Sequence, residues 1–117
     1  MIDWRVSSSS KETGGDGWHF PSFDIQEMLL PMINVGFEMI DSYGDTTFGR
    51  EDCFRLKRNI SFILDSGRLG RPEFRYDRIE GGISTIRSSD VETCLLRLQE
   101  AADQVITSSG VLTFYGD

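Results

Sequence analysis

The sequence predicts a mainly α domain of the α+β kind: a three-helix core, a small pair of terminal β-strands, and a β-hairpin at 74–86. Three observations carry that reading. Three long segments place apolar residues at helical spacing, two of them opened by a capping pair. The chain begins and ends on short stretches with strand character. Phe74 and Tyr76 alternate with charged residues just before a Gly-Gly turn signal.

Ile2, Trp4 and Val6 alternate with Asp3 and Arg5, the period of a half-buried strand. Residues 7–17 are rich in Ser and Gly and read as a flexible loop. The first helix is expected from Asp24, with Glu27 in the capping-box position. Ile25, Met28, Leu29, Met32, Ile33, Gly36, Met39 and Ile40 would form its core-facing side as far as Gly44. Glu27, Asn34, Glu38, Asp41 and Asp45 fall on the other side, together with Pro31. A proline on the wet face loses a backbone hydrogen bond that water replaces, so a kink is expected and not a break.

The second helix is expected to start between Thr47 and Gly49 and to stop at Ser66-Gly67, with Cys53, Leu56, Ile60, Ile63 and Leu64 as its seam. From Arg68 to Arg87 a hairpin fits, with a long ordered loop as its rival. The third helix is expected from a Ser89 cap paired with Glu92, and runs through Val91, Leu95, Leu98, Ala102 and Val105 to Ser109-Gly110. Val111 to Tyr115 reads as a last strand that pairs with the first.

A chain of 117 residues can bury one core without disulfide or metal but not two, so residues 1–117 are expected to form a single domain. At 38% hydrophobic and 26% charged, the composition argues against disorder of the whole chain. Met1 to Ser7 has no basic start or apolar run, so it does not read as a signal peptide, and a cytoplasmic address is expected by default.

Motifs for catalysis do not appear. No Gly-x-Ser-x-Gly, His-Glu-x-x-His or phosphate-loop pattern occurs, so a non-enzyme is expected. One histidine, His19, and two isolated cysteines are too few for a standard zinc site, and no metal or cofactor is expected. Cys53 and Cys94 lie on apolar helix faces. Reduced, buried thiols are expected there, with a single disulfide as the alternative.

Charge says more. The net charge of −7 opposes attraction to nucleic-acid backbones and anionic membranes, so neither is an expected partner. The charge is also polarised. Residues 50–78 hold eight basic and five acidic side chains, a net +3, and the remainder is −10. On the third helix Leu96 projects about 140° away from Val91 at 100° per residue, among Glu92, Glu100 and Asp103. An apolar anchor inside an acidic rim suits a basic protein partner. The plainer reading is that Leu96 packs beneath another segment.

The function expected is therefore non-catalytic: an acidic binding protein that sequesters a basic partner protein. A bacterial toxin-neutralising (immunity) protein is the concrete case, because nuclease toxins are basic. The expected partner surface is Glu38, Asp41 and Asp45 on the first helix with Glu92, Leu96, Glu100 and Asp103 on the third. The alternative is a small-ligand, nucleotide or RNA-binding module using the Arg-rich 68–87 segment, where Arg75 and Arg78 interleave with Phe74 and Tyr76. The plain reading of those arginines is that they neutralise acids of the same chain.

Overall fold

Ser22 starts the first helix: its Oγ accepts from the backbone N–H of Ile25 at 3.2 Å, three residues on. In the computed structural model, which describes residues 1–7, 17–34, 40 and 43–116, that helix is α1, Phe23–Ile33. It follows strands β1 (Asp3–Ser7) and β2 (Trp18–His19). Then come β3 (Asp45–Phe48), α2 (Arg50–Asp65), β4 (Glu73–Asp77), β5 (Ile83–Arg87), α3 (Ser88–Ser108) and β6 (Val111–Tyr115). Apart from Ser7 and Gly17, the loop expected at 7–17 lies outside the described residues.

The expected mainly helical three-helix core is not what forms. The chain is α+β: helices make up 48% of the described residues and strands 26%, in two antiparallel sheets. The sheet is a structural layer and not an accessory. One sheet runs β2-β1-β6-β3, and the other is the β4-β5 hairpin. Phe20, Phe48 and Phe114 are the largest fully buried side chains, and none belongs to a helix. Phe114 packs edge-on to Phe48 at 5.2 Å and lies 6.1 Å from Trp4, whose other neighbour is Phe20 at 5.3 Å. The helices' apolar faces close on this aromatic row as well as on each other.

The sheet is one-sided. Trp4, Phe48, Leu112 and Phe114 are buried, whereas Asp3, Arg5, Asp45, Thr47 and Tyr115 are exposed. Antiparallel pairing sets β6 between β1 and β3, with Tyr115 opposite both Asp3 and Asp45. The terminal strands thus pair as expected, but β2 and β3 are additions. Asp45, assigned by its spacing to the first helix, is the first residue of β3.

The first helix is also shorter than its periodicity suggests. Past Ile33, Asn34 caps it and turns its side chain back so that Oδ1 accepts from the Ile40 N–H at 3.1 Å. Asp24, the expected cap, instead binds Arg78. The hairpin is real: β4 and β5 pair from Glu73↔Arg87 to Asp77↔Ile83. Its base is tied by Ser88, which donates its N–H to Pro72 O at 2.9 Å and its hydroxyl to Arg71 O. That use of Ser88 starts α3 one residue before the expected Ser89 cap.

The exit from α3 explains an unusual residue. Ser109 adopts a left-handed conformation (φ 58°), which glycine would tolerate better. The glycine stands one place later because a Cβ on Gly110 would lie 2.3 Å from Ser7 O. Close approach of β6 to β1 takes precedence over relief of strain at the cap.

Two substitutions test this layering by denaturant unfolding. Leu98→Ala, at a fully buried seam residue, should cost about 2–5 kcal/mol. Gly110→Ala should cost ~1–3 kcal/mol, because its methyl group would overlap the backbone of Ser7.

Candidate interaction surface

The expected partner residues separate in the structure. Glu38 and Asp41 lie outside the described residues. Asp45 is on the open face of the sheet, whose opposite face is buried against the helices. Glu92, Leu96, Glu100 and Asp103 share the outer face of α3, and all four are exposed. Leu96 is 42% exposed, so it does not pack beneath another segment.

The charges around Leu96 are partly paired within the molecule. Asp103 bridges to Lys57 of α2 at 2.5 Å, and Glu100 lies 3.6 Å from Arg97. Both bridges are at the surface, where such pairs contribute ~0–1 kcal/mol and yield readily to a better-placed cation. Arg97 also lies over the Trp18 ring, 4.8 Å from its centre, which ties the outer edge of α3 to β2.

The Arg-rich segment is arranged differently from the alternative's requirements. Phe74 and Tyr76 are half-buried against the core, so their rings are not laid open for a base to stack on. Tyr76 donates its hydroxyl to Glu27 at 2.7 Å, and Arg78 reaches Asp24 at 3.1 Å and 3.4 Å. The hairpin's chemistry is directed at α1. Arg68, Arg71 and Arg75 remain exposed. On α2, Arg50, Arg55 and Arg58 are exposed beside Phe54, with the Arg50 guanidinium 5.7 Å from its ring.

The nucleophile candidates are poorly suited to attack. Cys53 and Cys94 are fully buried, and burial pushes both thiols up to about 12, with the charge of Asp52 adding to the effect at Cys53. His19 Nδ1 lies 2.9 Å from the carbonyl of Phe20, and its ring stacks on Trp18. Among the described residues no group of three His, Cys, Asp or Glu is placed to hold a metal ion, and no helix is long and apolar enough to cross a membrane.

One feature escaped the sequence. A groove of about 840 Å³ is lined by α1 from Phe23 to Asn34 together with Met1, Tyr43 and the Arg78–Glu80 turn. Its signals were Pro31 and Asn34 on the polar face of a helix, and Phe23, Tyr43 and Ile79, apolar residues that fit no periodic pattern. No protein-family model matches the chain, and neither a curated protein nor a solved structure is similar enough to inform its function.

The thiols give a test of this part of the structure. Both should resist alkylation at neutral pH until the protein unfolds. Their raised values, with that of Tyr76, which burial and Glu27 push up to about 12, set a sign for pH dependence. Above about pH 9 the unfolded chain loses protons that the native state keeps, so stability should fall as pH rises toward 12. Denaturant midpoints measured at neutral pH and at about pH 10 would show it, and an unchanged or rising midpoint would contradict the burial of these groups.

Proposed function

We propose that the chain is a non-catalytic acidic binding protein that sequesters a basic partner protein, with a basic toxin in the cytoplasm as the concrete case. The observation that carries this reading is the α3 ridge: Leu96, 42% exposed, between Glu92, Glu100 and Asp103. Binding hot spots need an apolar centre that loses its water and a rim that excludes solvent. A rim of carboxylates also draws in a cationic protein and accelerates encounter. The weak internal pairs of Asp103 and Glu100 hold their side chains without neutralising the ridge as a whole, since Glu92 belongs to neither pair. The RNA or nucleotide alternative has less support, because the aromatic rings of the Arg-rich segment face the core.

The test is retention of a basic protein from the native host by the tagged chain, compared with two variants. Glu92→Lys with Glu100→Lys should slow association about tenfold and flatten its salt dependence. Leu96→Ala should speed dissociation by about tenfold while leaving stability within ~0.5 kcal/mol, as expected of a surface site. Retention of an acidic protein, or a Leu96→Ala variant that loses several kcal/mol of stability, would overturn the proposal.

A further inference from the structure

The outer edge of the β4–β5 hairpin is open. At its base the Ser88 N–H donates to Pro72 O at 2.9 Å, and at its tip the Arg78 N–H donates to Gly82 O at 3.0 Å. The register between them, from Glu73↔Arg87 to Asp77↔Ile83, is unbroken. In an antiparallel ladder every second residue turns its N–H and C=O to the neighbouring strand, and the residues between turn theirs the other way. Phe74 and Tyr76 therefore bond to β5, while the main-chain groups of Glu73, Arg75 and Asp77 point away from it. Among the described residues those groups have no hydrogen-bond partner. β5 lies against α1 and α3, so β4 is the edge left free.

The charges along this edge discriminate between partners. Glu73, Arg75 and Asp77 are exposed and share the outer face of the hairpin, in the order acid, base, acid. Charges on an exposed edge ordinarily keep strands apart. Antiparallel pairing of two identical copies centred on Arg75 obeys that rule: Arg75 meets Arg75, and Glu73 meets Asp77. With the centre moved one residue, onto Phe74, the result reverses. Glu73 of each copy then stands opposite Arg75 of the other, and opposite charges across a ladder are favourable.

The same alignment satisfies the backbone. Glu73 and Arg75 both turn their main-chain groups to the open edge, so each Glu73–Arg75 pair exchanges both of its hydrogen bonds. Phe74 meets Phe74 at the more closely spaced position between those pairs, on the face that packs against the core. Pro72 does not obstruct, because the N–H that it lacks would have pointed to β5 and not to the edge. Within its own hairpin Glu73 also faces Arg87, a second cation, and Arg75 faces Thr85. Arg71, exposed just before the strand, falls at the level of Asp77 of the second copy, so each acid of the row has a cation at its level.

We propose that this edge pairs with the same edge of a second copy of the chain, to give a two-fold dimer with one antiparallel ribbon, β5-β4-β4-β5, centred on Phe74. The assembly closes at two copies, since the other edge of each hairpin lies against its own helices. Five-residue strands joined edge to edge bury little surface, so the dimer is weak and depends on concentration. It uses no residue of the α3 ridge and does not depend on the reading of the chain as a binder.

Sedimentation equilibrium of the full chain at concentrations up to about 1 mM should show monomer and dimer in exchange. Arg75→Glu sets acid against acid in both central pairs and should weaken the dimer by about tenfold or more. Glu73→Arg combined with Arg75→Glu exchanges the signs and should restore the dimer to within about threefold of the parent. That rescue separates pairing from a folding defect. It also separates this alignment from the one centred on Arg75, where the single variant would exchange one like-charged pair for another. Hydrogen exchange read by nuclear magnetic resonance locates the contact. The amides of Glu73 and Arg75 should be protected at high concentration and exchange freely on dilution, while those of Phe74 and Tyr76 stay protected throughout. The inference is overturned if the chain remains monomeric to about 1 mM, or if Arg75→Glu dimerises like the parent. It is equally overturned if the folded double variant fails to recover the dimer, or if the protection that depends on concentration falls outside β4.

Discussion

The insertion of β6 between β1 and β3 is the constraint on which the rest of the structure depends. The last strand supplies hydrogen bonds to the first strand on one side and to a mid-chain strand on the other. Without it β3 has no partner in the sheet and β1 keeps only the two-residue β2. Phe114 and Leu112 also fill the space between Trp4 and Phe48, so the aromatic row is complete only when the C-terminal segment is in place. These contacts join residues far apart in the sequence, so forming them closes a loop of more than a hundred residues. The tight passage at Ser109-Gly110 follows from this. The helix must end where the strand can enter against Ser7, even at the expense of a left-handed serine.

The hairpin is attached by a different kind of force. A two-stranded ribbon is marginal alone. Phe74 and Tyr76 give it an apolar underside, Ser88 ties its base, and its turn is fixed to α1 by Tyr76, Arg78 and the Ile79 amide reaching Asp24 and Glu27. That attachment is polar and partly exposed, and the turn and the helix line one concavity. The same carboxylates that read as a helix cap in the sequence therefore act as the anchor of a second element.

Much of this was legible beforehand. Long segments with apolar residues at helical spacing gave α2 and α3 almost to the residue, and alternation gave β1, β6 and the hairpin. The errors share a cause. Short polar side chains can satisfy local or distant partners equally well, and sequence spacing does not say which. Asp24 with Glu27 and Ser89 with Glu92 have capping spacing, yet Ser22 caps α1 and Ser88 serves the hairpin base. Asp45 has helical spacing from Asp41 but sits in β3, a strand of four residues with one buried side chain, too short to display a period of two. The α3 ridge was readable because a long helix fixes the direction of every side chain. The α1 groove was not, because its walls come from segments about fifty residues apart.

The distribution of charge bears on the binding proposals more than its total does. The molecule extends 45 × 29 × 26 Å, several times the ~8–10 Å over which salt screens a charge near physiological ionic strength. An approaching protein therefore senses the nearest patch and not the net −7. Lys57 and Arg78 pair with neighbouring acids, and Arg58, Arg71 and Arg75 are exposed elsewhere. The carboxylates of the α3 ridge and the exposed arginines elsewhere consequently act as separate local fields, and on the proposed reading the arginines would repel a basic partner that approaches from their side. Polarity of this kind orients an encounter as well as accelerating it, which a uniformly acidic surface of the same net charge would not do.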